Sequence, residues 1–240
     1  MKVLRVIETF LPNITGPVNQ AYKLSLELEK RNIHSPVITT YYNTQNAPNE
    51  EHIDLVSVKR LNHLRIMQYC ISPQLKKALK KSNQEQKIDI IHAHTYRSYH
   101  TEIAAKFARK HKIPFVLSTH GSLLGYDKYL KNNFVKLPYK FYDLITAKKA
   151  ALLADAIIVN SKQEYEEALS FGIQKEKLHL IPVGIDVSLY EQKNIKKDEK
   201  TSNKNKITLL FVARISRNRN LELLINAVAI LKQELEDKEF

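Results

Sequence analysis

At 240 residues, 43% of them apolar, the chain can bury a substantial core and exceeds the roughly 100 to 200 residues usual for one domain, so one full domain plus a further piece is expected. Its net charge of +13, from 38 Lys and Arg against 25 Asp and Glu, favours a polyanionic partner such as nucleic acid, a phosphorylated substrate or an anionic membrane face. The single cysteine, Cys70, excludes an internal disulfide and points to a reducing, cytoplasmic compartment, and no stretch approaches the roughly 20 apolar residues of a membrane span.

In chain order, the opening MKVLRVIETF is a short apolar run punctuated by charge, which reads as a first strand over Val3 to Thr9 and not as a secretory segment. Val18 to Arg31 carries Val18, Ala21, Tyr22, Leu24 and Leu28 with polar residues between them, the spacing of a helix packed on a sheet, and Asn32 is its stop. Further apolar runs follow at Ser35 to Thr40, Asp89 to Ala93, Phe115 to Thr119, Ala156 to Asn160 and Leu178 to Pro182. Cys70, amid apolar neighbours, is expected to pack as a small hydrophobe. Thr101 to Lys110 places Ile103, Ala104, Phe107 and Ala108 on one helical face, and Ile113-Pro114 ends that connection. The alternation predicts an α/β fold, a Rossmann-like open parallel sheet with helices on both faces.

The segment from Glu191 to Lys206, EQKNIKKDEKTSNKNK, is almost without apolar residues and reads as a solvated linker. A new strand, ITLLFVARI, and a helix over Leu221 to Leu235 come after it. The expected division is therefore an N-terminal domain over 1–190, a linker over 191–206 and the start of a second domain over 207–240. One strand and one helix cannot close a core, so the chain is expected to be cut short or to be completed by a separately encoded C-terminal half.

Four glycines, Gly16, Gly121, Gly125 and Gly184, fall where strands hand over to loops or helices, the edge at which open α/β sheets bind ligands. Gly16-Pro17 starts the first helix, whose free N–H groups suit an anion. TGPVNQ has only one glycine, which argues against a nicotinamide or flavin enzyme. His92 and His94 share a face with Ile90 at the end of DIIHAH. No Cys or acidic residue accompanies them at ligand spacing, so no metal is expected. His120 ends the next strand with Gly121 behind it, so His94 and His120 can face one crevice, as hydrogen-bond partners for ligand hydroxyls or as a proton carrier near neutral pH. The following apolar run ends at Asn160, with Ser161 after it. Arg214 follows LLFVA and Arg219 comes just before the helix at Leu221, a reasonable receptor for a diphosphate. Lysines and aromatics interleave over Tyr126 to Lys149, either as a strip lying on an anionic membrane or as a helical face with its aromatics in the core.

The motifs IHAHTYRSYH, IPFVLSTHGS, ADAIIVNSKQE, LIPVGIDVSLY and LLFVARISRNRNLELLINA, in that order, resemble glycosyltransferase family four over nearly the whole chain. The resemblance implies a type B glycosyltransferase architecture of two Rossmann-like domains, the acceptor bound mainly by the first and the nucleotide-sugar by the second. It also implies a metal-independent transfer that retains anomeric configuration. The nucleotide-sugar would then be a substrate, and no cofactor is expected. The acceptor would be a glycan, a lipid-linked glycan or a small molecule. By position, Gly16 corresponds to the loop near the donor phosphates and His120 to a histidine that contacts the transferred sugar, while Arg214 and Arg219 correspond to the basic pair that binds the diphosphate. Gly121, His94, Asn160 and Ser161 would line the acceptor or sugar cleft. The sequence departs from the family at Pro17, Ala213 and Asn220, each standing where glycine is usual, and at Arg219, which replaces lysine. The family's paired glutamates would lie beyond Phe240, so the 240 residues alone are expected not to catalyse transfer. A non-catalytic remnant that retains acceptor or membrane affinity is the rival reading. Nucleic-acid binding is the weaker rival, since no motif of that kind appears.

Overall fold

All four residues of the first strand, β1 (Val3–Val6), are buried, as a strand covered on both faces must be. In the computed structural model, which describes residues 1–66, 69–121, 123, 137, 146–187, 209–213, 215 and 219–236, β1 is an inner strand of an eight-stranded sheet. Its companions are β2 (Val37–Thr40), β3 (Glu50–Ile53), β4 (Val56–Leu61), β7 (Ile90–His94), β8 (Phe115–Ser118), β9 (Ala156–Val159) and β10 (Leu178–Leu180). The order across the sheet is β10-β9-β8-β7-β1-β2-β4-β3. Every pairing is parallel except the edge pair β3 and β4. A separate hairpin is formed by β5 (Leu64–Ile66) and β6 (Tyr69–Ile71).

The six expected strands of the N-terminal domain form within a residue or three of the predicted bounds. The antiparallel edge and the hairpin carry no comparable apolar run, since Glu50–Ile53 is half exposed and Leu64–Ile66 fully exposed.

Helix α1 (Gly16–Glu29) covers one face of the sheet, joining Ile7, Phe10, Val18, Ala21, Val37, Val56 and Val58 in one core cluster. Helices α2 (Leu75–Glu85), α3 (Tyr99–His111), α4 (Lys148–Leu152) and α5 (Lys162–Phe171) pack the larger cluster on the other face, around Leu4, Val6, Ile91, Ala93, Leu117 and Ile157. The period of two in β1 divides Leu4 and Val6 from Ile7 and leaves Arg5 on the α1 face. Cys70 is buried, as expected, and burial pushes its thiol up to about 11.

From β1 the chain progresses through β2 and β4 in one direction, then returns to place β7 on the other side of β1 and continues outward. The reversal puts a topological switch point between β1 and β7, where α/β sheets open a crevice at their carboxyl ends.

Residue contacts divide the chain at Ile185 and Asp186. In the second unit the expected helix is present as α6 (Leu221–Glu236). The linker over 191–206 lies outside the described residues, as does the 126–149 strip apart from Leu137 and 146–149. Of the expected strand over 207–215, residues 209–213 and 215 are described and take part in no sheet.

Candidate active site

The β1 and β7 ladder sets Arg5 in register with His92, and the β7 and β8 ladder sets His94 in register with Ser118. Register therefore gathers one arginine and two imidazoles at the switch point before any loop contributes. Arg5, His92 and His94 are 2%, 6% and 0% exposed. The Arg5 guanidinium donates through Nε to Ser25 Oγ of α1 at 2.6 Å, and through one terminal nitrogen to His92 Nδ1 at 2.7 Å and His94 Nε2 at 3.3 Å. Ser25 Oγ in turn lies 3.1 Å from Ser35 Oγ, and His92 Nε2 lies 2.8 Å from Ser118 Oγ. The His92 and His94 rings stack with centroids 4.4 Å apart, which confirms the shared face.

His120 extends this chain toward the sheet edge. Its Nε2 is 2.8 Å from His94 Nδ1, and the two rings stack at 5.1 Å. Burial pushes His120 down to about 4 and His94 well below the ordinary range, so both rings are neutral at pH 7. Of the two sequence readings, hydrogen-bond partner and proton carrier, the neutral ring suits the first. Burial lowers Arg5 to about 9, which leaves it charged at pH 7.

The backbone at this edge is strained. Thr95 has φ 81, Arg97 φ 57 and His120 φ 53, values that non-glycine residues rarely adopt and that tend to cluster at functional sites. Gly121 follows at φ 143, a conformation that a side chain would resist.

Gly16 opens α1, with Thr15 Oγ1 accepting from Val18 N at 3.3 Å as the N-cap. A Cβ at Gly16 would meet nothing within 4 Å, so any need for glycine there would come from a ligand. Ser161 caps α5, accepting from Glu164 N at 3.2 Å, while Glu164 Oε2 accepts from Asn160 N at 2.8 Å. Asn160 Oδ1 is buried with no partner among the described residues. Arg214 lies outside the described residues. Arg219 is exposed and stands two residues before α6.

Three residues escaped the sequence reading. Arg5 stands as a lone charge inside the strand VLRV, and Glu8 is an acid just past it. Burial raises the Glu8 carboxyl to about 7, with the Ser98 hydroxyl and Arg65 pulling it back. His100, in the first turn of α3, is fully buried, and neither ring nitrogen has a partner among the described residues. Nothing in its local sequence separates it from a surface histidine.

The chain is similar to known proteins. The profile of Glycosyltransferase Family 4 matches residues 14–189. An alpha-monoglucosyldiacylglycerol synthase of Streptococcus pneumoniae is 24% identical over 98% of this chain and 54% of its own length. An N-acetylgalactosaminyltransferase of Campylobacter jejuni, which acts on N-acetylgalactosamine-N,N'-diacetylbacillosaminyl-diphospho-undecaprenol, is 35% identical over 45% of this chain and 27% of its own. The chain spans about half or less of the length of the curated relatives it matches. Among solved structures, sucrose-phosphate synthase of Thermosynechococcus elongatus superposes with TM-score 0.54 at 15% identity, over 79% of this chain and 50% of that one. The UDP-GlcNAc 2-epimerase of Methanocaldococcus jannaschii superposes at 0.51 with 16% identity, over 75% and 45%. These two likenesses show the fold alone, and a synthase and an epimerase share it.

Proposed function

Since this chain belongs to Glycosyltransferase Family 4, we propose that it forms the acceptor-side lobe of a retaining glycosyltransferase which moves a sugar from a nucleotide diphosphate to a glycan or lipid-linked acceptor. The observation that carries the reading is the neutral His94–His120 pair at the carboxyl edge of the switch point, with His94 fully buried and His120 half-buried on a strained backbone. A neutral imidazole there can hydrogen-bond a sugar oxygen. The bond from the sugar's C1 to the diphosphate breaks, the acceptor oxygen takes its place on the same face, and the acceptor's hydroxyl proton leaves on the diphosphate. Arg214 and Arg219 would neutralise the charge that builds on the departing diphosphate. A division into 1–190, 191–206 and the start of a donor-binding domain over 207–240 belongs to the same reading.

The names of the relatives support a lipid-linked acceptor, since one is a glycosyldiacylglycerol synthase and another acts on a diphospho-undecaprenol. So does a groove of about 460 Å³ between α2 and α3, floored by Ile103 and Phe107 and rimmed by Lys76, Lys80, Lys106 and Lys110. Four cations around an apolar floor suit an anionic membrane face. No helix among the described residues is long and apolar enough to cross a membrane, so contact there would be peripheral.

The test is a screen of nucleotide-diphosphate sugars with glycan acceptors and with lipid-linked acceptors in anionic vesicles, using protein that contains these residues. Release of nucleotide diphosphate with a product of unchanged anomeric configuration is expected. An inverted product would remove retention, and release from no donor would remove transfer.

A further inference from the structure

We propose that Arg5 is a positioning residue that fixes which ring nitrogen of His120 carries the proton. A guanidinium has only N–H groups and cannot accept. His94 Nε2, at 3.3 Å from Arg5, must therefore be the acceptor and bear no hydrogen. Neutral His94 then holds its proton on Nδ1, 2.8 Å from His120 Nε2. Two protonated nitrogens cannot share a hydrogen bond, so His120 Nε2 accepts and the His120 proton sits on Nδ1. The same logic makes His92 accept at Nδ1 and donate from Nε2 to Ser118. One buried cation thus sets the direction of the whole chain.

The consequence is polarity at the sheet edge. His120 presents a donor at its remaining nitrogen, suited to a lone pair on a phosphate or sugar oxygen. Reversed, the chain would run from His120 Nε2–H to His94 Nδ1 and leave an acceptor facing the ligand. The cation is itself held fast, because β1 and β7 fix its register and Ser25 fixes its Nε. Its charge also helps keep His92 and His94 neutral, second to burial for His92. The inference takes from the proposed function only that His120 faces a ligand.

Histidine-labelled protein read by ¹⁵N NMR at pH 7 tests the assignment without any substrate. The wild type is expected to show His120 protonated at Nδ1 and bare at Nε2. In Arg5→Met the Nε2–H form should appear, whereas Arg5→Lys, still a donor-only cation, should retain Nδ1–H. A wild-type spectrum with Nε2–H on His120 overturns the proposal even if neither variant folds, and so does an unchanged tautomer in folded Arg5→Met. Where transfer is measurable, the mixed tautomer should lower kcat about tenfold with KM changing less, since the donor is lost from part of the population. Unchanged kcat in a variant with an altered tautomer would overturn the link to the reaction. Failure to find any transfer leaves the spectrum, and hence the tautomer assignment, standing.

Discussion

Arg5 and Arg60 are both fully buried on strands of one sheet, yet they are held in opposite ways. Arg60, on β4, forms an ion pair with Glu51 and donates to the carbonyls of Pro48 at 2.9 Å and Leu11 at 2.6 Å. It therefore ties the antiparallel edge to the loop that follows β1. Arg5 has one hydroxyl and two neutral imidazoles instead, and no carboxylate pairs with it among the described residues. A buried cation with a counter-ion and carbonyls around it is bound into the framework. Without a counter-ion it keeps its field, and here that field acts on the buried rings of His92 and His94.

The largest expected effect tests this difference directly. Arg60→Met strands the Glu51 carboxylate and two carbonyls, and should lower unfolding free energy by about 3 to 5 kcal/mol in urea titrations. Arg5→Met removes a charge that had no counter-ion, and should cost less than half as much. Equal losses would mean that both arginines serve the framework alone.

His120→Ala should come next, read on activity. Removing one preorganised donor typically costs about 3 kcal/mol of barrier, so turnover should fall by about a hundredfold in a protein that transfers sugar. Its unfolding free energy should fall by less than about 1 kcal/mol, because the ring lies at the edge and not within either core cluster. A loss of stability as large as the loss of activity would move His120 to the framework side of the comparison.

Acid sharpens the contrast further. His100 and His120 are lowered by burial from 6.5 to about 4, and burial holds His92 and His94 well below the ordinary range too. Their contribution to stability is complete above pH 6.5 and is lost as pH falls, because the unfolded chain binds the protons first. Glu8 and Glu102, raised by burial from 4.5 to about 7, act in the opposite sense and lose stability as pH rises through that range. Four imidazoles outweigh two carboxyls, so unfolding near pH 5.5 should take up protons and stability should decline toward pH 4. His120→Gln should flatten that decline and Glu8→Gln should steepen it. A flat profile in the wild type would mean that these rings are hydrated.

The sequence made six of the parallel strands legible as short apolar runs and missed β4, whose run is broken by Lys59 and Arg60, and it made His94 and His120 legible because each ends such a run beside a loop. Arg5 was hidden by the same rule. A charge inside VLRV reads as an interruption until the register with His92 shows what it serves, and register between strands nearly ninety residues apart is set by tertiary packing. The hairpin Leu64–Ile66 with Tyr69–Ile71 was missed because its first strand is exposed and has no alternation to read. Ser161 was legible as a polar residue at the sheet edge, but it is also the N-cap of its helix, its hydroxyl accepting from Glu164 N while the Glu164 carboxylate accepts from Asn160 N.

That last pair of neighbours gives the smallest effect and repeats the comparison at the scale of one hydroxyl. Ser161 Oγ is committed to Glu164 N, so Ser161→Ala should cost about 1 kcal/mol, and Ser161→Asp, which caps equally well, should recover it. Asn160 Oδ1 is buried and has no partner among the described residues. Asn160→Ala removes an unmade bond, and should change stability by no more than about 0.5 kcal/mol in either direction. Differential unfolding of the three variants decides between them. If Asn160→Ala proves the costlier substitution, its oxygen is already satisfied and is not held open for a ligand.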